Sequence, residues 1–233
     1  MEQQIVIWHT SCVQEHAICA LLSSPYDGAL VVTADESGAV VAWARRGASS
    51  LVPRLLMLRH AHPVRFLALA ASEQTHVLLS LCARGLLAMW DLADGRCLRT
   101  STAPLLPDAG AAVGAVLPSA KHAIIGGEQA HLVIVHIEQM QVVATIQTGD
   151  WAIALSALVV DAGSSTAAAA RVVCLTLGGH LQTWLIREGA ADGIVRVAAV
   201  SPLVLRAPPD LDGLAPRAVQ IADDQSMLLV LSA

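Results

Sequence analysis

The chain alternates between short apolar runs of four to nine residues and small polar breaks. Over 58–103 the runs are Val64–Ala71, His76–Cys82, Leu86–Asp91 and Arg96–Thr100. They are separated by Ser72-Glu-Gln-Thr75, Ala83-Arg-Gly85 and Ala93-Asp94-Gly95. Gly and Asp suit such breaks because they tolerate turn backbone angles that branched residues do not. The pattern predicts four strands joined by tight turns. Ala is abundant and favours helices. Yet no long stretch shows a capped 3.6-residue period, and Gly and Pro recur throughout, so strands are expected across the chain.

The same local frame returns along the sequence. Gly38-Ala-Val-Val-Ala-Trp43, Gly85-Leu-Leu-Ala-Met-Trp90 and Gly179-His-Leu-Gln-Thr-Trp184 each read Gly, four residues, Trp. Ile5-Val-Ile-Trp8 shows the apolar end of that frame. The midpoint between Trp90 and Trp184 falls near position 137, so His131-Leu-Val-Ile-Val-His136 reads as the same strand with His136 in the place of Trp. Four short strands per step of roughly 45 residues is the period of a β-propeller blade. The expected fold is all-β, with four blades and part of a fifth. The expected units are 13–57, 58–103, 110–149, 150–206 and a partial 215–233, all in one propeller domain, with 1–12 as a closing strand of the last blade. The segments 161–170 and 207–213 read as loops.

Composition agrees with this picture. Hydrophobic residues make up 55% of the 233 and charged residues 14%, which excludes a disordered chain. Mean hydropathy is +0.60. No apolar run approaches the roughly 20 residues of a membrane-spanning helix. Blades stacked face to face cover both sides of their inner strands, which explains continuous apolar runs such as Leu30–Ala34 and Arg171–Leu177. A net charge of −5 argues against a nucleic-acid surface. Five scattered cysteines, without a secretory signal, read as reduced cytosolic thiols.

Trp90-Asp91 is the dipeptide of the WD-repeat family, and Arg59-His60 stands where that family carries Gly-His. The resemblance implies a hydrogen-bonded network within a blade, and His60, Ser80 and Trp90 match three of its places. The family's turn Asp is replaced by Ser37, Arg84 or Gly178. Ile5–Trp8, Ile18-Cys-Ala-Leu-Leu22, Glu36–Trp43, Trp90-Asp-Leu-Ala-Asp-Gly-Arg-Cys97, Gly149-Asp-Trp151 and Thr176–Trp184 follow one another in an order that resembles the N-terminal propeller of rabconnectin beta subunits. Those are large WD-repeat proteins. The resemblance implies a DmX-like rabconnectin alpha partner and regulation of the vacuolar proton-pumping ATPase, hence vesicle acidification. It also implies a cytoplasmic location, peripheral on vesicle or endosomal membranes through partners.

Candidate chemistry is sparse. His9, Cys12, His16 and Cys19 are zinc-ligand types at close spacing. They straddle a strand end and a turn, where alternate side chains point to opposite faces, so no metal is expected. Asp35-Glu36 and Asp223-Asp224 fall in turns and are expected to be solvated. No phosphate loop, nucleophile elbow or metalloprotease helix motif occurs, so no catalytic residue and no cofactor is expected. Trp43, Trp90 and Trp184 are expected to pack within blades. Trp151 lies outside the frame, beside Asp150. It reads either as a core Trp opening an inner strand or as a rim anchor for a partner. The chain ends on the apolar run 227–233 with no Gly-x4-Trp strand after it. That leads to the expectation of a fragment of a seven-bladed propeller. The expected role is a non-enzymatic scaffold. Its rival is a generic propeller adaptor in vesicle traffic or ubiquitin ligation, and a channel-centred enzyme is a further alternative.

Overall fold

The structure, a computed structural model, describes residues 14–24, 30–46, 50–72, 75–106, 112–160, 169–189, 195–204, 216–221 and 228–232. Within them every regular element is a strand. The first sheet holds β1 (Ile18–Ser23), β2 (Leu30–Asp35), β3 (Ala39–Arg46) and β4 (Ser50–Leu58). The second holds β5 (Val64–Ser72), β6 (Thr75–Cys82), β7 (Leu87–Asp91) and β8 (Cys97–Thr100). The third holds β9 (Ala112–Val116), β10 (His122–Gly127), β11 (His131–His136) and β12 (Gln141–Gln147). The fourth holds β13 (Ala152–Val160), β14 (Ala169–Thr176), β15 (His180–Glu188) and β16 (Val195–Val204). A two-stranded sheet follows, β17 (Pro216–Ile221) and β18 (Leu228–Ser232).

Each four-stranded sheet is an antiparallel meander in sequence order. The first strands of successive sheets touch: β1 meets β5, β5 meets β9, β9 meets β13, and β13 meets β17. These strands therefore line the inside of an arc, and the fourth strands lie outside. This is a β-propeller of four blades and the opening hairpin of a fifth.

The inner strands are apolar on both faces because both faces are covered. In β10, Ala123 and Ile125 pack with Leu79, Leu81, Leu87 and Met89 of the second blade. Ile124, between them, packs with Val172, Cys174 and Trp184 of the fourth. Successive side chains point to opposite faces, so a run without polar alternation feeds two interfaces at once. Trp90 is only 2% exposed and lies in the interface of the first two blades with Val32, Val40 and Met57.

In the first, second and fourth blades the turn between second and third strands is fixed by glycine. Gly38, Gly85 and Gly179 have φ of 94°, 77° and 77°. Each donates its N–H back to the first residue of the turn, Asp35, Cys82 and Thr176 respectively. At Gly85 a Cβ would stand 2.1 Å from the Leu106 carbonyl oxygen, because the strap after the second blade crosses there. At Gly38 the same clash is with His60 O, at 2.4 Å.

Three expectations are corrected. Ala169 and Ala170 are not loop; they open β14 and are buried. Asp35 is not solvated, being 1% exposed. Its Oδ1 accepts hydrogen bonds from Ser37 N at 2.9 Å, Ser37 Oγ at 2.6 Å and Ala39 N at 3.1 Å, so the carboxylate holds its own turn together. His136 does not take the Trp place. Ala123 faces Val135 in the third blade as Leu78 faces Trp90 in the second. The turn bonds agree: Met140 N bonds His136 O as Gly95 N bonds Asp91 O. Val135 fills the Trp position and His136 the position of Asp91. The expected closing strand 1–12, the loop 207–213 and Asp223-Asp224 lie outside the described residues, as does most of the loop 161–170.

Candidate functional site

Within the second blade, Trp90 Nε1 donates to Ser80 Oγ at 2.8 Å, and Ser80 Oγ stands 2.7 Å from His60 Nε2. Burial, together with the nearby Arg59 charge and against an interaction with the Ser80 backbone, pushes the His60 pKa down to about 4. The ring is therefore neutral near pH 7. Ser80 accepts from the indole and donates to His60 Nε2, which satisfies all three groups. The His60 and Trp90 rings meet edge to face at 6.4 Å. The strand register places Ser80 two residues beyond Leu78, the partner of Trp90.

The first blade repeats the arrangement with other residues. Trp43 pairs with Val31, and its Nε1 donates to Thr33 Oγ1 at 2.7 Å. Thr33 in turn donates to Gln14 Oε1, and Gln14 Nε2 donates to Ala39 O at 3.3 Å. Gln14 precedes Ile18 by the same interval as His60 precedes Val64, so it is the first blade's counterpart of His60. Sequence reasoning missed it, although this interval before the inner strand was the available signal. In the fourth blade Trp184 pairs with Val172, and Cys174 takes the hydroxyl's place. Burial pushes the Cys174 thiol up to about 12, with the Asp150 charge adding to the shift. In the third blade the corresponding residues, Ile125 and Val135, are apolar.

A second polar cluster joins the third and fourth blades. His122 Nδ1 donates to Glu188 Oε1 at 2.6 Å, and Ser119 Oγ donates to the same oxygen at 2.5 Å. Burial pushes the Glu188 pKa up, but the hydrogen bonds from His122 and Ser119 outweigh it and hold the carboxyl below its ordinary value. His122 and His136 rings meet edge to face at 5.0 Å. This cluster ties blades together; the serine is bonded to the carboxylate rather than to the histidine, so it lacks the relay a nucleophile needs.

Trp151 is placed differently from the other indoles. It immediately precedes β13 at the rim and is 45% exposed. Its carbonyl accepts the N–H of Leu177, which is itself 55% exposed. Asp150 holds this corner: Oδ2 accepts from Gly178 N at 2.6 Å and Oδ1 from Trp151 N at 2.7 Å. Those bonds lower the Asp150 pKa. The side chain is thus presented on a braced loop rather than packed in an interface.

His16 is exposed and Cys19 half-buried, while His9 and Cys12 lie outside the described residues. No cluster of three His, Cys, Asp or Glu able to hold a metal occurs among the described residues. No helix among the described residues is long and apolar enough to cross a membrane.

No family model and no curated protein matches the chain. Many chains of solved structures do. One is in a structure described as the crystal structure of a mitotic checkpoint complex, with a TM-score of 0.63 and 13% identity. The match covers 88% of this chain and 56% of that one, so this chain spans little more than half of its length. At that identity the similarity is one of fold, and it agrees with the arc of meandering sheets: the chain is a β-propeller.

Proposed function

We propose that this propeller is a non-enzymatic scaffold that presents its rim to a protein partner. The observation that carries this reading is Trp151, a large indole held outward on a loop braced by Asp150. Indoles are enriched among residues that dominate binding energy at protein interfaces. Beside it Leu177 extends the apolar surface. Ser80 with His60, and Ser119 and His122 with one oxygen of Glu188, are engaged in structural networks, and none of these groups is arranged as nucleophile, base and orienting group.

The partner follows from the resemblance of the sequence to rabconnectin beta subunits. On that reading the chain binds a DmX-like rabconnectin alpha subunit and supports assembly of the vacuolar proton-pumping ATPase in the cytoplasm at vesicle surfaces. Affinity purification of tagged protein followed by mass spectrometry tests it. Recovery of the alpha subunit and pump subunits is the expected result. A different stable complex, in vesicle traffic or ubiquitin ligation, would instead support a generic adaptor.

A further inference from the structure

The fourth strand of each blade is the outer edge of its sheet and has no strand on its outer side among the described residues. Such an edge is a template for another strand, and bulges, prolines and charges are the usual means of spoiling it. In the first three blades a bulge interrupts this edge, each time opposite the Trp position. β4 pairs Trp43 with Pro53 and Ala42 with Leu55, leaving Arg54 over. β8 pairs Trp90 with Cys97 and Met89 with Arg99, leaving Leu98. β12 pairs Val135 with Val142 and Ile134 with Ala144, leaving Val143. β16 differs. Its ladder runs unbroken from Glu188 opposite Val195 to Thr183 opposite Val200, with Trp184 directly opposite Ala199. Residues 196–200 are all exposed, and Arg196 is their only charge.

The same edge carries unrelieved charge. Arg196 pairs directly with Arg187 of β15, and like charges directly opposite one another destabilise a ladder. Arg171 of β14 pairs with Leu185, two residues before Arg187, so it lies on the same face of the sheet. Arg187 and Arg196 are exposed. No carboxylate lies within ion-pair distance of these three arginines among the described residues. Glu188, the one acid in β13–β16, follows Arg187 in the strand and so points to the opposite face, where it bonds His122. A strand added beside β16 would set one residue directly opposite Arg196, with Cβ atoms about 5 Å apart. A carboxylate in that place meets the planar guanidinium fork and relieves the pair of like charges.

We propose that β16 receives an extended segment of a partner protein as an added edge strand, with a Glu or Asp opposite Arg196 and β-branched residues on either side of it. Main-chain hydrogen bonds along the edge give the affinity, and the carboxylate sets the register. This surface is separate from the Trp151 corner. Trp151 adjoins Ala152, which pairs with Thr176 at one end of β14, whereas Arg196 lies in register with Arg187 and Ala169 at the other. The inference therefore goes beyond the scaffold reading, adding a second contact and the chemistry it takes.

Fluorescence anisotropy on the full chain tests it. The probe is a labelled peptide of alternating Thr and Val with one central Glu, and the same peptide with a central Lys is the comparison. The Glu peptide should bind about tenfold tighter than the Lys peptide, and more weakly as salt rises. Two further Glu peptides are N-methylated at alternate residues, one in each phase. A strand turns alternate N–H groups to its neighbour, so one phase should abolish binding and the other keep it. Arg196→Gln should weaken the Glu peptide about fivefold, and Arg196→Glu should make the Lys peptide the better ligand. Arg99→Gln on the bulged edge of β8 should change nothing. Melting curves show that each variant is folded. Failure of the Glu peptide to bind, equal binding of the Lys peptide, equal binding of both N-methylated peptides, or wild-type binding by both Arg196 variants overturns the inference. Trp151→Ala should bind the Glu peptide as wild type does. If it loses the peptide while the Arg196 variants keep it, the inference fails and the scaffold reading stands.

Discussion

Trp90 Nε1 hydrogen-bonds Ser80 Oγ at 2.8 Å, inside an interface from which water is excluded. The hydroxyl serves two buried groups, since His60 Nε2 stands on its other side at 2.7 Å. Ser80→Ala strands both. Leaving a buried polar group without a partner costs about 1–3 kcal/mol. The variant should melt several degrees lower. Ser80→Thr, the residue type at Thr33 in the first blade, should recover most of the loss. An unchanged melting temperature for Ser80→Ala would contradict the network.

His60 gives the fold a pH dependence with a definite sign. Its pKa falls from an ordinary 6.5 to about 4, mainly through burial. Between these values the unfolded chain binds a proton that the folded chain refuses. Stability is therefore lost as pH drops from 6.5 towards 4, by at most about 3 kcal/mol. His60→Gln copies the first blade, where Gln14 occupies this place. It should keep the acceptor for Ser80 and flatten the stability profile across that window. Denaturant unfolding at several pH values checks this; an equally steep profile in His60→Gln would show that the dependence arises elsewhere.

Gly85 and Gly149 share a left-handed backbone, with φ of 77° and 73°. They differ in surroundings. A Cβ at Gly85 would overlap Leu106 O, whereas one at Gly149 would meet nothing within 4 Å. Gly149→Ala should cost only the conformational term, about 1–2 kcal/mol. Gly85→Ala should cost clearly more, because the buried Leu106 strap must move. Equal melting temperatures for the two would place the strap elsewhere.

The sequence made some of this architecture legible and hid the rest for physical reasons. The strands of the second blade lie within a residue or two of their expected bounds, because apolar runs there end at sharp turn residues. In the third blade the expected Trp position, His136, lies one residue beyond the observed one, Val135, because Ala130 stands where the other blades have a turn Gly and no punctuation fixes the frame. Gln14 was invisible because it replaces a histidine and lies in a stretch dominated by metal-like residue types. Asp35 read as a solvated turn acid, and only the folded turn shows its oxygen turned onto backbone N–H groups. Glu188 and His122 meet across a blade interface, a long-range contact that no local pattern encodes.

Cys174 should be chemically silent in the native protein. Its thiol is buried and raised to about 12, so almost no thiolate exists near neutral pH. Iodoacetamide at pH 7.5 should modify the half-buried Cys97 well before Cys174, which should react only on unfolding. Peptide mass spectrometry of native and denatured samples reads this directly. Early labelling of Cys174 would mean that the interface of the third and fourth blades opens.

The scaffold reading is tested most directly by paired capture and melting of Trp151→Ala. Its side chain is too exposed for the deletion to unfold the blade as a core cavity would, unlike Trp90→Ala, for which a cost of about 3–5 kcal/mol is expected. Tagged wild type and Trp151→Ala are purified in parallel and their bound proteins quantified. The account predicts that Trp151→Ala melts within a degree or two of wild type and loses most of its captured partner. Full recovery of the partner by a folded Trp151→Ala protein would contradict it.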